Sequence, residues 1–137
     1  MSNADIYWRF AEILNARDYD KLSEVMIDDF VDHHPGLVDV TDLMTYTNNL
    51  KFVVDALEMT AEVEDVLEAG DKVFTRVKLV GKHVGTFLGI EPTHKPVVWY
   101  TNELWRAENG KMVERWAVDD LLSLIAQMDY PVPSWDG

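Results

Sequence analysis

Apolar residues return every three or four positions between residues 4 and 16, as Ile6, Phe10, Ile13 and Leu14, and that spacing predicts a helix with one buried stripe. A second short helical pattern follows Asp18, which reads as its cap, with Leu22, Val25 and Met26 apolar. The segment DDFVDHHPG predicts a short extended run closed by a Pro-Gly turn. Thr41 then reads as the cap of a long third helix with Leu43, Tyr46, Leu50, Val53, Val54 and Leu57 on one stripe. Beyond it the period drops to two, in MTAEVEDVLEAG, DKVFTRVKLVGKHVG, KPVVWYTNELWRAENG and KMVERWAVDD, with Gly-Asp and Asn-Gly at two of the turns. These predict an antiparallel, strongly bent sheet. Leu121 to Met128 is a last amphipathic segment, and residues 130–137 read as a tail, either loose or docked on a neighbour.

Helices first and strands afterwards make the class α+β, and 137 residues make one domain, 1–137. A half-open curved sheet with N-terminal helices across its concave face leaves a cone-shaped cavity, the kind of mouth in which small ligands bind. Alternation assigns the faces. On the second strand segment Val73, Thr75, Val77, Leu79 and His83 share one face, opposite Arg76, Lys78 and Lys82. On the last one Glu114, Trp116, Val118 and Asp120 lie together, opposite Arg115, Ala117 and Asp119. The set with the aromatic and aliphatic side chains is read as inward, which puts the Asp120 carboxylate against Trp116 and Val118. In between, Tyr100, Asn102 and Leu104 oppose Trp99, Thr101, Glu103 and Trp105, and alternation alone does not say which set faces in.

Charge and composition narrow the partners. Twelve basic against 25 acidic side chains give a net charge of −13, whereas phosphate recognition needs clustered Lys and Arg, so neither nucleic acid nor an anionic membrane is an expected partner. No apolar run approaches the roughly 18 residues of a membrane span. No basic segment with an apolar core opens the chain, so a cytoplasmic address is expected. The chain has no cysteine, which excludes disulfides, thiolate nucleophiles and cysteine zinc sites. The four histidines sit at no familiar ligand spacing, and no P-loop, dinucleotide fingerprint or Ser-His-Asp order occurs, so neither a metal nor another cofactor is expected. An open curved sheet has an outer face and edges to cover, so a homo-oligomer, dimer or tetramer, is expected.

The stretches AGDKV, GKHVGTFLGIEPTHKPV and ENGKMVERW, and the spacing from Trp116 through Asp120 to Gln127, resemble the SnoaL-like polyketide cyclases, whose fold is the nuclear transport factor 2-like cone. The family pattern in the second stretch runs Gly-Thr-His-x-Gly-x-Phe-x-Gly-Ile-x-Pro-Thr-Gly-Lys, and this chain departs from it with Lys82 and His94. Upstream, FVDHHPG carries the histidine that the family shows two residues before a proline, here His33.

The resemblance implies that Asp120 is the general acid/base of an intramolecular aldol ring closure on a hydrophobic or aromatic ketone, with His83 and His33 donating hydrogen bonds to the carbonyl. Read from the residues alone, a carboxylate beside Trp116 and Val118 loses solvation, which raises its pKa toward the range of a base. The competing role is a cap on the helix that starts at Leu121, which Asp119 could supply instead. His34 and His94 read as solvent-facing. Trp99, Trp105 and Trp116, with Tyr100 and Tyr46, are candidates to stack on a planar ligand, Asn102 or Glu114 to complete its polar end, and Phe87 to line a loop folded over the mouth. Isomerisation or dehydration of a small ketone, and ligand binding without turnover, are the alternatives that the same fold allows.

Overall fold

The computed structural model describes residues 1–35 and 37–136. Helix α1, Asn3–Ala16, starts from a capping box: the Ser2 hydroxyl accepts from the Asp5 N–H and the Asp5 carboxylate accepts from that of Ser2. It buries Ile6, Phe10, Ile13 and Leu14 as the spacing predicts. The second helical pattern is a 3₁₀ turn, Tyr19–Glu24, with Asp18 at its N-cap. Strand β1, Met26–His33, and helix α2, Leu43–Leu57, follow; the α2 cap is Asp42, one residue after the expected Thr41, accepting from the Thr45 N–H at 2.7 Å. Then come β2 (Thr60–Ala69), β3 (Lys72–Lys82), β4 (Pro96–Glu108), β5 (Lys111–Asp119) and α3 (Leu121–Gln127). The architecture is α+β.

The five strands form one sheet in the order β1-β5-β4-β3-β2. Three of its four pairings are antiparallel, but β1 runs parallel to β5, with His33 opposite Trp116. The four strands read from alternation pair antiparallel as expected, and the parallel partner is β1, which the sequence marks only as a short extended run. The cause is topological: α2 and three strands lie between β1 and β5, and so long a connection can return the chain in its original direction. Asn109 and Gly110, both at positive φ, make the β4–β5 turn, as Asn-Gly pairs do in tight hairpins. Register shifts interrupt the β1, β2 and β4 pairings, and such bulges bend a sheet and strengthen its twist. The sheet stays open.

Helices α1 and α2 lie across the concave face and bury the core against it. Gly81, on β3, is where α2 comes closest: a Cβ there would stand 1.9 Å from the Leu57 carbonyl oxygen. Three and four residues on, the backbone of Val84 and Gly85 donates to the Ala56 carbonyl at 2.9 Å each, tying the loop between β3 and β4 to the end of α2. Within that loop Phe87 and Ile90 exchange backbone hydrogen bonds around a tight turn at Leu88 and Gly89, both at positive φ. Phe87 is buried and stacks near Phe52 of α2. Among the described residues no helix is long and apolar enough to cross a membrane.

Candidate active site

Between the helices and the concave face lies a cavity of two communicating chambers, the inner about 130 Å³ and the outer about 370 Å³. Six residues line both: Asp32, His34, Asn49, Val53, Trp99 and Asp119. The inner walls are apolar on the side of Leu14, Leu50, Val53, Met59, Val77 and Leu79. Opposite them the strands present charge.

That charge forms one connected chain of side chains. The Glu103 carboxylate, on β4, accepts from the Thr75 hydroxyl at 2.8 Å and the Tyr7 hydroxyl at 3.2 Å through one oxygen, and from Arg115 Nε at 2.7 Å through the other. Arg115 Nη1, on β5, donates to Asp32 Oδ1 at 2.8 Å. Asp32 Oδ2 stands 3.2 Å from His34 Nδ1, and His34 Nε2 stands 3.6 Å from Asp119 Oδ1. Asp119 accepts from the Thr101 hydroxyl at 2.7 Å and from Trp99 Nε1 at 3.1 Å. The last gap in the chain, between His34 and Asp119, exceeds a hydrogen bond.

The protonation states follow from these contacts. The carboxylates of Asp119 and Asp32 on either side push His34 up to about 9, against the opposing effect of burial, so at neutral pH it is an imidazolium with two N–H donors. Burial alone would raise Asp119, but His34, Arg115, Thr101 and Trp99 together hold its carboxyl below the usual carboxylate value. Asp32 is likewise raised by burial and lowered further by Arg115 and His34. Burial pushes the Tyr7 and Tyr46 hydroxyls up, so both stay protonated.

Several residues singled out from the sequence lie elsewhere. Asp120 is exposed and caps α3, its carboxylate accepting from the Ser123 N–H at 3.1 Å; the last strand turns Arg115, Ala117 and Asp119 inward and Trp116, Val118 and Asp120 outward. The expectation failed because it sent the apolar set inward, whereas the inward face here is the polar end of a cavity. Trp116 stacks on His33 on the convex face, with ring centres 5.4 Å apart. His33 is held there between Glu114 at 2.7 Å and Asp39 at 2.8 Å. Asn102 is exposed on that face too. His83 is fully buried but lines neither chamber: its backbone closes the base of the loop by bonding Lys95 and His94, and its Nδ1 accepts from the Thr93 N–H at 3.2 Å. Tyr46 and Trp99 do line the inner chamber, and Phe87 lines the outer one.

The residues that sequence reasoning missed are His34, Asp119, Asp32, Glu103 and Arg115. A signal for Glu103 was present: it shares a strand face with Trp99 and Trp105, and a charged residue on such a face needs a buried partner. His34 follows the end of β1, where strand alternation no longer says which way a side chain points, so its inward turn had no signal in the pattern.

Comparison with known proteins shows the family. A family model for the SnoaL-like polyketide cyclases matches residues 4–128. Among proteins with curated descriptions, none matches the chain by sequence. Of solved structures, wild-type IdmH from Streptomyces antibioticus, a proposed polyketide cyclase, is 28% identical with a TM-score of 0.84, over 95% of this chain and 100% of that one. A proposed SnoaL-like polyketide cyclase from Jannaschia sp. CCS1 is 22% identical with a TM-score of 0.86, over 95% of this chain and 93% of its own. AclR from Streptomyces galilaeus, a proposed hydroxylase, is 21% identical with a TM-score of 0.85, over 98% and 89%. The family match spans both the helices that roof the cavity and the strands that carry its charged wall, and the chain belongs to the SnoaL-like polyketide cyclase family.

Proposed function

We propose that this protein is a cofactor-independent acid/base enzyme that closes a ring in a polyketide or aromatic ketone by intramolecular aldol addition. Asp119 takes the acid/base role expected of Asp120, and His34 the carbonyl-polarising role expected of His83 and His33. The observation that carries this reading is the pair itself: an ionised carboxylate and an imidazolium form an ion pair across 3.6 Å, too long for a hydrogen bond, at the polar end of an otherwise apolar cavity. The family match supports it, as does the enclosure of the site, which strengthens every electrostatic interaction inside.

In this mechanism a substrate carbonyl oxygen accepts from His34 Nε2, and Asp119 removes a proton from the adjacent carbon. The resulting enolate carbon attacks a second carbonyl of the same molecule, forming a carbon–carbon bond. The alkoxide then takes the proton back from Asp119, which returns to its carboxylate. A carboxylate held at low pKa is a weak base, so the carbon must already be acidic, as one flanked by two carbonyls is. The donor aimed at the developing enolate oxygen lowers the barrier further. Trp99, Tyr46 and Phe87 supply aromatic surface to the rings of the substrate.

Incubation with a panel of β-polyketones and aromatic keto esters, followed by mass spectrometry and NMR, tests the reading. Ring closure creates a new carbon–carbon bond without change of mass, whereas a dehydratase product lacks one water. Asp119→Asn is expected to lower turnover by about 10²–10⁴-fold. Turnover unaffected by that substitution overturns the assignment.

A further inference from the structure

Glu103 and Arg115 take no part in the proton transfers above, yet both are charged and almost wholly buried, and burying such a pair is costly. We propose that they are positioning residues: Arg115 fixes Asp32 so that its second oxygen meets His34, and Glu103 shares the charge of Arg115, leaving Asp32 negative enough to keep His34 a donor. The proposal rests on the acid/base reading of His34.

The geometry is directional at every joint. Glu103 is pinned through one oxygen by Thr75 and Tyr7, so only the other reaches the Arg115 guanidinium. Arg115 spends Nε on Glu103 and Nη1 on Asp32, and its rigid planar fork sets the angle between the two carboxylates. Asp32 is held in turn by two backbone hydrogen bonds to Val40, of 2.8 and 3.0 Å, so its Oδ1 serves Arg115 while Oδ2 faces His34 Nδ1. The charged groups facing His34 are Asp32 from β1 and Asp119 and Arg115 from β5; α2 contributes the uncharged Tyr46 and Asn49 to the same chamber. Of these Arg115 alone opposes a proton on His34.

The test is an NMR titration of the His34 ring, without substrate, in the wild type, Glu103→Gln, Asp32→Asn and the double variant. Glu103→Gln is expected to lower the His34 midpoint by about one pH unit, the order of effect of one charge in a partly desolvated site, and Asp32→Asn to lower it further. Because Glu103 acts through Asp32, the double variant is expected to titrate like Asp32→Asn alone, with Glu103→Asp close to the wild type. A Glu103→Gln midpoint equal to the wild type, or shifts that simply add in the double variant, overturns the proposal. Should Glu103→Gln not fold, Arg115→Lys serves: it keeps the charge and loses the fork, so the His34 Nδ1 proton is expected to exchange faster with solvent, and an unchanged rate counts against the coupling. A titration that behaves as predicted in a protein that turns over no ketone refutes the function proposed above and leaves the coupling standing.

Discussion

At the scale of single residues, neighbouring aspartates divide two jobs. Asp119 faces the cavity, and Asp120 satisfies the first turn of α3. Asp120→Ala is therefore expected to cost about 0.5–2 kcal/mol of stability, as loss of an N-cap does, while turnover stays near wild type; thermal melts beside activity assays check both halves. His34→Gln keeps a donor but no positive charge, and is expected to lower kcat more than it raises KM. Because His34 must be protonated to donate Nε2–H while Nδ1 faces Asp32, the rate should hold through neutral pH and fall as pH rises through about 9. A pH–rate profile read on a true substrate measures that limb. Reading these residues from the sequence was possible only up to a choice between two faces. Alternation grouped Arg115 with Asp119 correctly, but nothing in that grouping marked it as the inward one.

At the scale of elements, most of the pattern could be read beforehand, because helix stripes and strand alternation report burial directly. The glycine-rich stretch that begins at the end of β3 is the instructive case. Its glycines serve packing as well as turns: Gly81 lets α2 settle on β3, and Gly89 allows the tight turn that presents Phe87 to the outer chamber. Gly81→Ala would set a methyl group against backbone rather than against a side chain that can move aside. It is expected to destabilise by about 1–3 kcal/mol, as overpacking does, and to weaken ligand binding through displacement of α2; denaturant unfolding with ligand titration checks both. The parallel pairing of β1 was not legible, since alternation within a strand carries no information about its neighbour's direction.

At the scale of the whole molecule, the fold concentrates its costly groups in one place. Asp32, Glu103 and Arg115 are the only Asp, Glu, Lys or Arg side chains among the buried described residues, and all three belong to the wall of the inner chamber. Their linkage to folding sets a pH window. His34 is raised above its ordinary value, so the stability it contributes is complete below about pH 6.5 and is lost as pH rises through about 9. Asp32 and Asp119 are depressed, so their contribution is present above the ordinary value of 3.8 and is lost as pH falls through their lower folded values. Denaturant unfolding from pH 3 to pH 10 is expected to give a plateau between those limits, with His34→Gln flattening the alkaline side and, because His34 also helps to depress Asp32 and Asp119, softening the acid side.

The central claim is that Asp119 takes a proton from carbon. Deuterium wash-in at the activated carbon of β-diketones and aromatic keto esters, followed by mass spectrometry, tests it without the true product being known. Exchange is expected to be catalysed by the wild type and by Asp120→Asn and to be abolished in Asp119→Asn. Exchange that survives in Asp119→Asn, or ligands that bind and raise the melting temperature of the wild type without any exchange, would contradict it.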